Sequence, residues 1–237
     1  MIELLGVGIP DARGQWLMRG VCARFEPGVL TAVVAPMASE RDALLDAVAG
    51  HAIPGEGRVW VGQLPLMRET RARVRARVAD VGPATRFTPG RSALWNTLVT
   101  RGRTLAGLLR LPRRAERETA LGTLVAVGLG ARGRQPVSAL TPAERVRVGL
   151  ARAVIWRVSA IVLREVDVTL GVEAAAVLGV ARALARVHRL VVVASVSSLT
   201  LAHAHADRVV VLGNGRLVFD GCARESEDEL ADRSVMA

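Results

Sequence analysis

The sequence predicts an α/β fold in which a mainly parallel β-sheet is covered by helices on both faces. Two observations lead to this class. Short, almost wholly apolar runs, typical of strands buried on both faces, alternate with helical runs. A hairpin signal, Gly213-Asn214-Gly215, joins the last two predicted strands. With 237 residues, the chain is long enough for one large domain with its own core.

The N-terminal third is predicted to be mostly strands with one early helix. A β-branched apolar run over residues 29–34 is typical of a buried strand. The next run carries Leu44, Leu45 and Val48 and stops at Gly50, so we expect a helix there. The predicted strands of this region cover residues 2–8, 21–25, 29–34, 58–62 and 78–81.

The rest of the chain alternates between helices and buried strands. Between Phe87 and Gly133 the apolar residues recur largely at helical spacing. The clearest helix start is Thr141-Pro142-Ala143-Glu144, because Thr141 can cap the helix, Pro142 suits its first position and Glu144 completes a capping box. We then expect strands over residues 160–163, 190–194, 209–212 and 216–219, and a helix over residues 173–188.

Composition and charge narrow the classes of function. All 32 residues of the Lys/Arg type are arginine, and the net charge is +10. The basic segment 68–77 is not interleaved with aromatic residues, so nucleic-acid binding is not expected. His203 and His205 lack cysteine or carboxylate neighbours at ligand spacing, so we expect them at the surface and expect no metal site. The sequence shows neither a signal peptide nor an apolar run of about 18 residues that would span a bilayer.

The segment Val33–Leu45 has the order of strand, loop and helix that is typical of a phosphate-binding P-loop. Such a loop binds phosphate because its glycines let converging backbone N–H groups come close to the ligand. The glycines and the lysine of that motif are absent here. The segment therefore predicts the architecture of a P-loop without its chemistry.

Five segments resemble, in order and interval, the ATP-binding subunit of ABC transporters over residues 2–223. VVAPMASERDALL lies where this family has its Walker A loop, and PGEGRVWVGQLPL resembles the strands that follow the first helix. SALTPAERVRVGLARAV resembles the signature motif with its helix, and AIVLREVDVTLG has the spacing of Walker B. VVVASVSSLTLAHAHADRVVVLGNGRLVFDG resembles the switch strand and the C-terminal hairpin.

The resemblance implies a single ABC-type nucleotide-binding domain over residues 1–223. Its fold would be the P-loop NTPase-like ABC ATPase fold, with a parallel-sheet core, an antiparallel β subdomain and an inserted helical subdomain. The core would cover residues 1–85 and 151–223, and the helical subdomain about 86–150. Residues 224–237 would form an acidic, solvated tail.

Several residues that bind ATP in this family are replaced in Walker A. The family's glycines correspond to Ala35, Ala38 and Glu40, its lysine to Arg41, and its magnesium-binding hydroxyl to Asp42. The degenerate nucleotide-binding segment thus comprises Pro36, Ala38, Ser39, Glu40, Arg41, Asp42 and Ala43.

Other motifs are changed as well. The Walker B carboxylate is Arg164, whereas the next glutamate is kept as Glu165, a residual catalytic candidate. The switch histidine corresponds to Ser197, or to Val196 if the register slips by one, and the magnesium-reading glutamine falls near Pro83. The signature, which would face a partner's ATP site, is partly kept as Leu140, Thr141, Pro142, Ala143 and Glu144.

These replacements argue against hydrolysis at the chain's own site. A carboxylate beside a phosphate charge, at ~4 Å and an effective dielectric near 20, costs about 4 kcal/mol, which applies to Glu40 and Asp42. Arg164 would repel magnesium where an anion must hold it. We therefore expect weak ATP binding, no magnesium, and no bound phosphate at which Glu165 would direct water.

A structural role is predicted for the same residues. Ser39-Glu40-Arg41-Asp42 matches a capping box, in which Ser39 and Asp42 accept each other's backbone N–H. Ser39, Glu40 and Asp42 would then fill the anion site from within. We also expect Arg164 to pair with Asp42 or Glu40, because the family places the positions of Asp42 and Arg164 beside one magnesium ion.

Three functions remain open at this point. The first is a degenerate, catalytically inactive ABC subunit at the cytoplasmic face of a membrane. It would support ATP-driven solute transport together with a second ABC ATPase and transmembrane subunits. The second is an active but atypical ABC ATPase that uses Arg41 and Glu165. The third is a regulatory or scaffolding protein that reuses the fold.

Overall fold

Two β-sheets form the framework of the computed structural model, which describes residues 1–82, 84–99 and 113–223. The strands are β1 Ile2–Pro10, β2 Trp16–Phe25, β3 Leu30–Val34, β4 Glu56–Val61, β5 Leu64–Pro65, β6 Val78–Val81, β7 Ala160–Leu163, β8 Val191–Ser195, β9 Arg208–Gly213 and β10 Arg216–Cys222. The larger sheet has the order β10-β9-β3-β8-β7-β6 and is parallel except for the β9–β10 hairpin. The smaller sheet, β2-β1-β4-β5, is antiparallel.

Helices cover both faces of the larger sheet. They are α1 Ala38–Ala49, α2 Arg71–Arg77, α3 Ala93–Leu98, α4 Arg114–Ala126, α5 Pro142–Ile155, α6 Val166–Leu170, α7 Ala174–His188 and α8 Leu199–His205. Leu44 and Leu45 of α1 lie in one buried cluster with residues of both sheets, so α1 is packed between them. Leu150 of α5 and Leu178 of α7 belong to the cluster on the other face. The predicted α/β class with a parallel and an antiparallel sheet is confirmed.

Most predicted elements are present. Each predicted strand corresponds to a strand of the structure, and the Gly213–Gly215 turn adopts the expected left-handed conformation, with φ 51° at Asn214 and 72° at Gly215. The sequence prediction missed α2, which buries little beyond Val74 and is otherwise arginine and alanine. Residues 100–112 of the predicted helical stretch, the tail 224–237 and Pro83 lie outside the described residues.

One described segment corrects the expectation that no run is long and apolar enough to span a membrane. Val166–His188, with 23 residues, meets that test by length and composition, because an 18-residue window within it has a mean hydropathy of 1.6. In the fold it is broken into α6, a 3-10 turn and α7. The face of α7 that carries Val177 and Ala181 is buried in the core. The segment therefore packs one face on the core and leaves the other exposed.

Candidate functional site

The loop before α1, residues 35–37, is not closed by the predicted capping box. The helix begins at Ala38, its N-cap is Met37, and no side chain makes a capping hydrogen bond there. Met37 is the last extended residue (φ −98°, ψ 131°), so Ser39 already lies inside the first turn. The capping prediction for Ser39 and Asp42 was wrong because β3 and the loop, and not the local motif, determine where the helix starts.

Glu40 does not fill an anion site from within, contrary to the prediction. Its side chain is buried, with 4% of the residue exposed, and Oε1 accepts a hydrogen bond from the Gly215 backbone N–H at 2.8 Å. The Glu40 carboxylate is therefore bound by the backbone of the β9–β10 turn. The second oxygen, Oε2, is buried and has no hydrogen-bond partner among the described residues.

Arg41 turns back onto the loop that precedes its own helix. Its Nη1 donates a hydrogen bond to the Ala35 carbonyl oxygen. In the resemblance, Arg41 is the counterpart of the phosphate-binding lysine and Ala35 that of the first loop glycine. One donor of the guanidinium is thus already engaged by the loop itself.

Arg164 lies among three carboxylates. Its Nε is 3.0 Å from both oxygens of Asp80, its Nη2 is 2.6 Å from Asp46 Oδ1, and its Nη1 is 3.7 Å from Asp42 Oδ1. The predicted pairing with Asp42 is therefore confirmed, whereas the alternative partner Glu40 faces the β9–β10 turn. The shorter contacts to Asp46 and Asp80 were not predicted.

The electrostatics of this group stabilise its charged forms. Burial raises the pKa of Asp80, but hydrogen bonds from His51 and Arg164 outweigh burial and hold that pKa below its usual range. His51 Nε2 lies 2.8 Å from Asp80 Oδ2. Burial lowers the pKa of Arg164, but its contacts with Asp80 and Asp46 more than compensate and raise that pKa above its ordinary value.

Two sets of hydrogen bonds join the segment after β7 to the segment that ends β8, and one of them involves Asp167, which the sequence prediction missed. Glu165 is exposed, has a left-handed backbone (φ 50°), and its N–H donates to Ser195 Oγ at 2.9 Å. Asp167 Oδ2 accepts from the N–H and Oγ of Ser197, at 2.6 and 2.7 Å, and from the Ser198 N–H at 3.0 Å. Burial raises the pKa of Asp167, but these hydrogen bonds hold it below its usual range. Asp167 therefore ties the switch position to the Walker B segment.

The signature segment has the predicted cap at the start of α5. Thr141 Oγ1 accepts from the Glu144 N–H at 3.2 Å, and Glu144 Oε2 accepts from the Thr141 N–H at 2.9 Å. Thr141 and Pro142 are exposed, whereas Leu140 and Ala143 are buried. The cap therefore leaves the first residues of α5 accessible at the surface.

A cavity of about 340 Å³ lies beside the start of α5. Pro142 and Arg145 of α5 line it, together with Gly82 at the end of β6 and Thr169 of α6. The cavity thus lies between the start of α5 and the segment that follows β6. No group of three or more His, Cys, Asp or Glu residues that would hold a metal ion occurs in the described ranges.

Comparisons with known proteins agree with this architecture. The chain is 33% identical over 234 residues to the phosphonates import ATP-binding protein PhnC 2 of Rhodopseudomonas palustris, covering 95% of this chain and 81% of the relative. It is 29% identical over 238 residues to the phosphite import ATP-binding protein PxtA of Stutzerimonas stutzeri, covering 98% and 85%. No protein-family model matches the chain.

Solved structures have the same fold. CbiO1 of Clostridium perfringens, part of the ABC transporter complex CbiONQ, superimposes with a TM-score of 0.83 at 16% identity, over 97% of this chain and 91% of that one. The resemblance noted in the sequence is therefore confirmed over nearly the whole chain. The chain belongs to the family of ABC transporter ATP-binding subunits, which are cytoplasmic and associate with transmembrane subunits at the face of the membrane.

Proposed function

We propose that this chain is a non-hydrolysing subunit of an ABC importer and that a second, active ABC ATPase pairs with it. The observation that carries the proposal is the position of Arg164, whose guanidinium lies among Asp42, Asp46 and Asp80. By the resemblance, this position belongs to the carboxylate that binds magnesium. A guanidinium there removes a metal ligand and fills the space between the remaining carboxylates, so the residues present do not fit Mg²⁺.

The charge of the site also disfavours ATP. Three carboxylates face one guanidinium, which leaves an excess of negative charge beside the loop before α1. Each contact of about 4 Å between a carboxylate and a phosphate charge costs about 4 kcal/mol at an effective dielectric near 20. Arg41, the cation best placed to offset this, already donates to Ala35. ATP binding would thus require the loop to rearrange.

Glu165 has no substrate to act on under this proposal. A general base must reach the water it activates next to a bound phosphate. The backbone N–H of Glu165 donates to Ser195. Ser197, at the position of the switch histidine, donates to Asp167 and has no imidazole that could contact a γ-phosphate. We therefore infer that Glu165 is not a catalytic base in this chain.

The exposed start of α5 supports a role at the partner's site. Thr141 and Pro142 lie at the accessible N-terminus of a helix, where the positive end of the helix dipole favours an anion. We infer that this segment completes an ATP site whose Walker motifs come from the partner. Residues of about 86–150 would form the subdomain that docks on the transmembrane subunits, with residues 1–85 and 151–223 as the core.

The transported solutes are proposed from the relatives. The two sequence relatives are named as import subunits for phosphonates and for phosphite. We infer that this chain serves the import of small phosphorus oxyanions of that kind. Other subunits of the transporter would select the substrate, because this chain is the ATP-binding subunit.

The decisive experiment measures binding and hydrolysis by the purified chain. Equilibrium binding of a fluorescent ATP analogue, with and without Mg²⁺, is expected to show no saturation at micromolar concentrations. ATP turnover is expected to equal that of the Glu165→Gln variant, because there is no activity to lose. Micromolar binding together with a higher turnover in the native chain would instead support the atypical ATPase that uses Arg41 and Glu165.

A second measurement identifies the partners. Affinity purification of the chain from detergent-solubilised membranes of its host is expected to recover transmembrane subunits and an ABC ATPase with an intact GxxxxGK[ST] loop. Recovery of the membrane subunits with only this chain would contradict the heteromeric arrangement. Recovery without any membrane subunit would favour the regulatory or scaffolding role.

A further inference from the structure

The group around Arg164 is assembled from three separate parts of the fold. Asp42 and Asp46 lie one turn apart on α1, Asp80 lies on β6, and Arg164 follows β7. The Arg164 N–H donates to the Val81 carbonyl at 2.9 Å, which holds the segment beside β6. Residues four apart share one face of a helix, so both α1 carboxylates are directed to the same side.

Close packing against Gly82 holds the backbone and Cβ of Arg164. A Cβ atom added to Gly82 would lie 3.0 Å from the Arg164 Cβ and 3.2 Å from its carbonyl oxygen. The Arg164 side chain is only 17% exposed, less than any of its three acidic partners. The guanidinium is therefore the central and most enclosed member of the group.

The donor set facing Arg164 consists only of carboxylate oxygens. Such oxygens are the ligands that Mg²⁺, Ca²⁺ and Mn²⁺ prefer in proteins. The three carboxylates surround different nitrogens of one guanidinium and repel one another, so a cation between them is favoured. In the native chain that cation is the guanidinium, which reaches all three carboxylates within 3.7 Å.

We propose that Arg164 is the built-in cation of this site and excludes divalent metal ions from it. With the guanidinium in place, the carboxylates of Asp42, Asp46 and Asp80 are spread around it and do not form a metal-binding group. Once the guanidinium is removed, the three side chains would close on a divalent ion. The native chain would then not bind Mg²⁺ at this site, whereas substitution of Arg164 alone would allow a divalent ion to bind. The inference concerns the cation site alone and needs no nucleotide, so it goes beyond the proposed role in transport.

The test compares Mn²⁺ binding by the native chain and by Arg164→Met, which keeps the aliphatic stem that packs near Gly82. Electron paramagnetic resonance of free Mn²⁺ is expected to show one bound ion per variant chain, displaced by excess Mg²⁺. Three carboxylates without further ligands suggest a Kd on the order of 10⁻⁴–10⁻³ M. The native chain is expected to bind at least tenfold more weakly.

Two further variants test the specificity of the result. Arg182→Met removes another partly buried arginine, but its partner is the single carboxylate of Asp207, so no gain of Mn²⁺ binding is expected. The double variant Arg164→Met/Asp80→Asn is expected to lose the gained site. If Arg164→Met does not fold in EDTA, recovery of its circular dichroism on refolding with Mn²⁺ supports the proposal, and failure to recover overturns it.

A folded Arg164→Met variant that binds Mn²⁺ no better than Arg182→Met would overturn the inference, as would a native chain that binds as tightly as the variant. Neither result bears on hydrolysis, because the assay contains no ATP. Conversely, ATP turnover by the native chain would contradict the proposed function but would not affect the comparison of Mn²⁺ binding. The two proposals therefore fail separately.

Discussion

Arg164 Nη2 lies 2.6 Å from Asp46 Oδ1, although 118 positions separate the two residues in the chain. This contact joins the segment after β7 to α1. Asp80 adds a second contact from β6. The ion group thus connects three elements of the core, and its loss should affect stability as well as ligand binding.

Substitution Asp80→Asn is expected to lower the free energy of unfolding by about 1–3 kcal/mol, because a partly buried guanidinium loses a charged partner. Urea unfolding followed by circular dichroism measures this change. The control is Glu118→Gln, which removes an exposed helix pair with Arg114 and should cost under about 0.5 kcal/mol. Equal losses in the two variants would show that the Arg164 group contributes no more than a surface pair.

The Asp80 carboxylate should also make the free energy of unfolding depend on pH. Its folded pKa is lowered, so below the unfolded value, near 3.9, the unfolded chain binds more protons than the folded one. The stability that Asp80 contributes is present above about pH 5 and is lost as the pH falls through the folded pKa. The difference in melting temperature between the native chain and Asp80→Asn should therefore shrink as the pH falls from about 6 to about 3. A constant difference would contradict this linkage.

Local signals predicted part of the site and tertiary contacts determined the rest. The cap at Thr141 and Glu144 was found from sequence because both partners lie within one helical turn. The same pattern failed at Ser39, because the helix starts two residues earlier, with Met37 as its N-cap. The partners of Arg164 could not be found by spacing alone, because Asp80 precedes it by 84 positions. The sheet order that brings them together depends on long-range pairing of β6 with β7.

Asp167 is expected to hold the switch segment in place. Asp167→Ala removes the acceptor of two backbone N–H groups, so amide hydrogen exchange at Ser197 and Ser198 should accelerate, with a stability loss of about 0.5–2 kcal/mol, as for a lost helix cap. Asp167→Asn keeps an acceptor oxygen and should exchange more slowly than the alanine variant. As a control, Asp11→Ala removes a similar acceptor in the first hairpin and should leave residues 197–198 unchanged. Unaltered exchange in Asp167→Ala would show that other contacts hold the switch segment.

Glu40 is expected to act as a link between α1 and the C-terminal hairpin. Glu40→Ala leaves the Gly215 N–H without its acceptor in a buried turn, so unfolding should become easier by about 1–3 kcal/mol. Glu40→Gln keeps an acceptor oxygen for that N–H and removes a buried charge, so it should lose less than the alanine variant. Urea unfolding of both variants, beside the exposed Glu69→Ala as control, measures the contribution. A glutamine variant as unstable as the alanine variant would mean that the carboxylate charge, and not the hydrogen bond, is what this position requires.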